Sequence, residues 1–257
     1  MTVAEQWIAF YTIVRKEIRR FLRIWMQTLL PPAITMSLYF VIFGALIGSR
    51  IGQMGGFSYM EFVVPGLIMM SVITNAYSNV VSSFFGAKFQ RFVEEILVSP
   101  MSNNTVLWGF VLGGVTRGLL VGLIVTALSL FFTTLHIQHI GVTIAIVLMT
   151  SIMFSLAGFI NAVFANNFDD VSIVPVFVLT PLTYLGGVFY SIDLLPDFWA
   201  GVSRLNPMLY IVNAFRYGVL GVSDVNVVTA FVMVGVFTLA AYAYCMYLLR
   251  SGTRLRQ

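Results

Sequence analysis

Long uncharged runs alternate with short polar breaks along this chain, and the runs have the length a bilayer demands. A hydrocarbon core of about 30 Å takes about 20 apolar residues in helical form. Runs of that size span about 24–48, 61–86, 105–133, 141–165 and 226–249. A sixth, at about 171–190, carries Pro175, Pro181, Gly186 and Gly187 and is predicted to be an irregular span. Pro31-Pro32 near the start of the first run predicts a loosened or kinked helix there. A glycine-rich loop, GSRIGQMGGFSYM, separates the first run from the second.

Two stretches break this rhythm. Between the second and third runs lies KFQRFVEEILVSPMSNNT, residues 88–105, a charged insert hung from two spans. On a helix Phe89, Phe92, Val93 and Ile96 share one face, with Lys88, Arg91, Glu94 and Glu95 opposite, and Ser99-Pro100 ends it. Its mixed charge suits an aqueous partner better than lipid, because lipid-surface helices are usually basic. The plainer reading is a loop helix resting on the membrane. The second stretch, 191–222, is apolar yet interrupted by Asp193, Pro196, Asp197, Arg204, Asn206, Pro207 and Arg216. Asn206-Pro207 reads as N-cap and first turn of a helix running to about Leu220, too short to cross. Two short helices dipping into one leaflet and returning fit best. Arg216 is expected to snorkel to phosphate, to pair with Asp193, Asp197 or Asp224, or simply to anchor headgroups.

Ahead of the first span, residues 2–23 predict an amphipathic interfacial helix. Trp7, Tyr11, Val14, Ile18, Leu22 and Trp25 share one face, and Arg15, Lys16, Arg19, Arg20 and Arg23 an adjacent one. In the second span Ser71, Asn75, Ser78 and Ser82 form a polar stripe, with Asn79 one turn beyond Asn75. Asparagines facing lipid are costly, so the stripe faces protein, as interhelical hydrogen bonding, or lines a water-filled path. The third span carries Gly114, Gly118 and Gly122 at four-residue spacing, a close-packing face. Arg117 beside it lies roughly 18 Å along the helix from Thr105. Either it is an intramembrane functional charge, or the span starts farther out and Arg117 snorkels to the headgroups.

Composition agrees with this picture: of 257 residues 59% are hydrophobic and 9% charged, with mean hydropathy +0.94. That predicts an all-α polytopic membrane protein of six spans with no large soluble domain. The first run, from about Ile24, is too long for a signal peptide core, so no cleavable leader is expected. The net charge of +4 comes from basic residues at membrane boundaries and does not point to nucleic acid. Arg15, Lys16, Arg19, Arg20, Arg23, Lys88, Arg91, Arg250, Arg254 and Arg256 fall on the side of the N-terminus. Arg50, Arg204 and Arg216 fall on the other, so both termini are expected in the cytoplasm. His136 and His139 have no carboxylate or cysteine near them and read as loop residues rather than a metal site. The lone Cys245 forms no intrachain disulfide. No phosphate-binding G-x-x-x-x-G-K-[ST] loop is present, and the acids sit at span ends or in loops. That argues against a proton-coupled transporter but leaves a stand-alone ion-coupled transporter, a channel or a membrane anchor for a soluble partner open.

Three blocks carry a more specific likeness: VPGLIMMSVITNAYSNVVSSFFGAKFQR, FDDVSIVPVFVLTPLTYLGGVFYS and NPMLYIVNAFRYGVLG. Together they resemble permeases of the type-2 ABC transporter (ABC-2) family, over nearly the whole chain. The resemblance implies the membrane subunit of an ATP-driven exporter in the bacterial inner membrane. It implies a homodimer with a separate ABC-type ATP-binding subunit, which would bind ATP and Mg; this chain would hold no cofactor and would be no enzyme. Residues 1–23 would be a connecting helix and 24–257 one transmembrane domain. Residues 88–99 would be a cytoplasmic coupling helix carrying Phe89, Phe92, Glu94, Glu95 and Leu97. Spans two and five would line the path, placing Asn75, Asn79, Thr180, Thr183 and Tyr184 near it. Residues 191–222 would be an outer-leaflet re-entrant hairpin in which Arg204 and Arg216 form an outer gate. Drugs, lipids and glycan-like compounds are all substrates within such a family, and the likeness does not choose among them.

Overall fold

The computed structural model describes residues 2–252, so Arg254 and Arg256 of the charge count lie outside the described residues. Helix α1 (Val3–Arg23) opens on a capping box in which Thr2 and Glu5 satisfy each other's backbone amides. A short α2 (Trp25–Thr28) turns the chain into α3 (Leu30–Phe40), which widens into a π-helix over Val41–Gly48 before α4 (Ser49–Ile51). The glycine-rich loop closes as a hairpin, β1 (Gln53–Met54) against β2 (Phe57–Ser58). Gly55 and Gly56 supply its turn at positive φ, where a side chain would be strained. Then come α5 (Tyr59–Phe89), α6 (Phe92–Val98), α7 (Asn103–Ser129) and α8 (Ile140–Phe164). Helix α9 (Phe168–Val174), a π-turn over Pro175–Leu179 and α10 (Thr180–Tyr184) follow. A 3-10 turn (Ile192–Leu194), α11 (Asp197–Arg204), α12 (Pro207–Leu220) and α13 (Val227–Ser251) complete the chain.

The chain is an all-α membrane protein. Five of its helical stretches are long and apolar enough to cross a bilayer: Trp25–Gly48, α5, α7, α8 and α13. The irregular sixth stretch expected at 171–190 is not among these five: it forms a helical run over residues 168–184 that a π-turn interrupts. Pro175 has no amide to continue the ladder, so α9 slips into a π-turn and resumes as α10. Asn161 Nδ2 of α8 donates at 3.3 Å to the carbonyl of Val171, the acceptor that the missing Pro175 amide leaves open.

Helix α5 is the pillar of the bundle, buried along almost its whole length against α8 and α7. The third-span glycines explain how closely α7 approaches it: a Cβ added at Gly118 would lie 2.9 Å from that of Ala76. One added at Gly122 would lie 2.7 Å from Cγ2 of Val72. The glycine face is therefore used for packing, as its spacing predicted. The outward faces of α8 and α13 stay apolar, with Ile144, Leu148, Val232, Val236 and Leu239 exposed. Such faces suit hydrocarbon surroundings and not water.

Candidate functional site

The insert between α5 and α7 is built differently from its wheel. Helix α5 runs through Lys88 and ends at Phe89, and Arg91 then takes a left-handed conformation at φ 63°, so α6 starts at Phe92. The expected helix over 88–99 is thus shorter by its first turn. Lys88 is not on its polar face: the side chain is buried and Nζ donates to the carbonyls of Val163 (2.6 Å) and Ala165 (2.9 Å). These are orphan carbonyls at the end of α8, where a cation also complements the helix dipole. On α6 Val93 is the buried anchor, Ile96 and Leu97 are half-buried, and Phe92, Glu95 and Val98 are exposed beside a half-buried Glu94. Exposed Phe89 is joined there by a residue that the wheel could not reveal, Phe168 at the start of α9. Its ring centroid lies 5.0 Å from that of Phe89, and it too is exposed. The α5–α6 and α8–α9 connections thereby share an exposed aromatic contact.

Helix α1 docks on this same half of the bundle with a face the wheel missed. Its exposed apolar side is Trp7, Ile8, Tyr11 and Leu22, while Ile13, Glu17 and Phe21 are buried against the bundle. Glu17, fully buried, accepts from Ser83 Oγ at 2.7 Å and lies 3.3 Å from Arg20. Arg20 in turn donates to Oδ1 (2.9 Å) and the carbonyl (3.0 Å) of Asn79. Gly113 leaves room for this clamp, since a Cβ there would meet Cβ of Glu17 at 2.6 Å. Gln6 ties the start of α1 to the loop before α7 through Pro100, Ser102 and Thr105. Arg117 is half-buried and donates to the carbonyl of Thr28 at 3.2 Å, so it serves the junction of α2 and α7.

The residues expected near a path do not share one environment. Asn75 is buried and donates to the carbonyl of Ser71, Asn79 belongs to the α1 clamp, and Thr183 is buried with its hydroxyl on Leu179 O. Thr180 and Tyr184 are exposed. The open strip of α5 is instead Met70, Thr74, Ser78, Ser82 and Gly86, one residue every turn, with Thr74 and Ser82 exposed and the others half-buried.

At the opposite end of the molecule the 191–222 stretch folds into two short helices, and Asn206 caps the second as expected, accepting from Met208 N at 2.9 Å. Its Nδ2 also donates to the carbonyl of Leu182 at 2.6 Å, fixing α12 to the end of α10. Arg216 corrects the expectation of snorkelling or carboxylate pairing. It is fully buried, and Nη2 donates to Gly187 O (2.7 Å), Nε to Phe62 O (3.3 Å) and Nη1 to Asn213 Oδ1 (3.3 Å). Its guanidinium also lies 3.8 Å over the Phe62 ring. Asp224 is reached only through Asn213, whose Oδ1 accepts from Asp224 N at 3.0 Å. A planar fork reads three acceptors on three segments at once, which no aliphatic or point charge can do. Arg204 is exposed.

Residues 8–220 match the ABC-2 type transporter family. The chain belongs to that family. It is 61% identical over 251 residues, 97% of this chain and 98% of the relative, to the inner membrane transport permease YadH of Escherichia coli strain K12. Nodulation protein J of Rhizobium leguminosarum bv. viciae is more distant, 23% identical over 191 residues, 74% of either chain. In this ABC-2 permease no group of three or more His, Cys, Asp or Glu gathers at metal-binding distance among the described residues. Its chemistry is that of surfaces and clamps. Sequence reasoning overlooked Glu17, Ser83 and Phe168 for a common reason: each is defined by partners remote in sequence. The one available signal was Glu17 itself, a lone acid within the otherwise basic 15–23 segment.

Proposed function

We propose that this ABC-2 permease is the membrane subunit of an ATP-driven exporter in a bacterial inner membrane, with both termini on the cytoplasmic side. It works as a homodimer with a separate ABC-type subunit that binds ATP and Mg and carries out the hydrolysis. The observation that carries the reading is the surface of α6 at the foot of α5. Phe89, Phe92 and Glu95 are offered to solvent there, with Glu94 half-buried beside them, while Val93 and Lys88 fix the platform to α5 and α8. A force applied at α6 is delivered straight into the central pillar, because Phe89 and Phe92 are only three residues apart across the break. Leu97 braces α6 from its half-buried side. The path runs between two copies along the open strip of α5 and the exposed side of α9–α10 with Thr180 and Tyr184, Asn75, Asn79 and Thr183 supporting it from behind. The hairpin of α11 and α12 closes the outer end, Arg216 holding it to α5 and Arg204 at its rim. Arg117 is an interfacial cation bracing α2.

The test is capture of the ATP-binding subunit. Glu94→Arg combined with Glu95→Arg is expected to abolish co-purification of that subunit with the full-length permease from detergent. Insertion and dimerisation, read by membrane fractionation and size-exclusion light scattering, are expected to survive. Native-level capture by the double variant rejects the docking role.

A further inference from the structure

A cavity of about 310 Å³ opens between α7 and α8, in the half of the molecule nearer their connecting loop. Its inner wall includes Ile68 and Val72 of α5 and Phe215 and Val219 of α12, all buried; its mouth is Leu123 and Ile144, both exposed. The two hydroxyls that line it are already committed. Thr126 Oγ1 donates to Gly122 O at 2.7 Å and Thr143 Oγ1 to His139 O at 3.0 Å. A buried water needs two to four polar partners, and this wall offers only the lone pairs of two hydroxyls whose donors are engaged, so the space is a poor site for water. Left empty, it would forfeit dispersion contacts along its whole lining.

The mouth decides the occupant. Leu123 and Ile144 lie within two helices long and apolar enough to cross a bilayer, and Leu148 carries the same apolar surface onward along α8. At that depth the surrounding solvent is hydrocarbon. We propose that the crevice is a binding site for one acyl chain of a membrane phospholipid, lodged between α5, α7, α8 and the hairpin helix α12. The inference rests on the membrane placement of α7 and α8 and is independent of the exporter reading. An acyl chain there bears on Phe215, next to Arg216 in sequence, and so packs the hairpin helix from the lipid side while Arg216 holds it from within.

The experiment uses the full-length chain in phosphatidylethanolamine–phosphatidylglycerol vesicles doped with a phospholipid that carries a photoactivatable diazirine at mid-chain. Labelled positions are mapped by mass spectrometry. The inner wall, at Val72 and Phe215, is expected to label saturably and to be protected by excess unlabelled phospholipid. Val232 and Val236 on the open face of α13 are expected to label in proportion to probe. Val147→Trp, or Leu119→Phe should the first variant fold poorly, fills the crevice and is expected to lower inner-wall labelling several-fold without changing α13. Inner-wall labelling that is absent, unsaturable or untouched by a folded filling variant overturns the proposal. So does labelling of the wall only by a free apolar photoprobe, which would make the occupant a small solute. Crosslinks from the mouth to a second copy of the chain would overturn it too.

Discussion

Removing the Lys88 ammonium strips the carbonyls of Val163 and Ala165 of a buried donor at the point where α8 ends. Leaving buried acceptors unpaired costs about 1–3 kcal/mol each. Lys88→Met is therefore expected to lower the unfolding midpoint in detergent by several degrees, taking about 2–4 °C per kcal/mol for a chain of this size. Arg91→Gly is the matched control. Arg91 is the one non-glycine residue at positive φ among the described residues, where a Cβ costs about 1–2 kcal/mol. Its replacement by glycine should leave the midpoint unchanged or raise it. At Arg216 the comparison is between two substitutions. Leucine leaves the Gly187 and Phe62 carbonyls without the fork, and Arg216→Leu should cost at least about 1–3 kcal/mol. Lysine restores charge but only a point donor, so Arg216→Lys should recover part of the loss. Equal midpoints for native and Arg216→Leu proteins would show that the clamp does not hold the hairpin. None of these environments is legible in the wheel of residues 88–99 or in the composition of 191–222. Lys88 is turned inward by a backbone break at Arg91 that no glycine announces, and Arg216 by carbonyls more than twenty residues away.

At the scale of elements the sequence is a better guide, because helix length and apolarity are local properties that the bilayer reads directly. The five spanning helices lie close to their expected positions, and the Asn206 cap and the Pro175 break are where the residues put them. On α1 the wheel gave an apolar face for the membrane surface, of which Trp7, Tyr11 and Leu22 are exposed. It did not give the face docked on the bundle, which includes Glu17, made acceptable by Ser83 and Arg20. A buried acid is tolerable only when paired and hydrogen-bonded, and its partner hydroxyl lies on α5. Glu17→Ala is expected to destabilise by about 1–3 kcal/mol, since it leaves the buried Ser83 hydroxyl without its acceptor while Arg20 keeps Asn79. The same change should loosen α1 so that limited proteolysis cuts within 3–23 while the bundle stays intact. Unchanged protection of α1 in the Glu17→Ala protein would remove the clamp from the account. Gly118→Leu attacks a different contact, the approach of α7 to Ala76, and is expected to reduce the yield of folded protein sharply.

For the molecule as a whole, the open strip of α5 has a meaning that neither the residue nor the helix supplies. A pillar buried on all other sides leaves one line of small and hydroxylated residues outward: Thr74, Ser78, Ser82 and Gly86. The outward faces of α8 and α13 are bulky and apolar by contrast. Their hydroxyls return to their own helix, Thr74 to Met70 O at 2.8 Å and Ser82 to Ser78 O at 2.7 Å, so the strip is smooth and uncharged. Small residues let another helix come close in a membrane, where bulky ones serve lipid as well as protein. If two copies meet along this line, Ser78→Cys should crosslink to the same residue of the second copy under mild oxidation. Asn75→Cys and Thr183→Cys should stay monomeric and react with thiol reagents on the order of tenfold more slowly, since buried thiols are inert. The native Cys245 is fully buried and gives a low background in either assay. The pattern distinguishes an interface from a merely exposed face: lipid-facing Val232→Cys is the control and should give no specific dimer. Crosslinking that is as efficient at Val232 as at Ser78, or absent at Thr74, Ser78 and Ser82, would rule this line out as a meeting face of two copies.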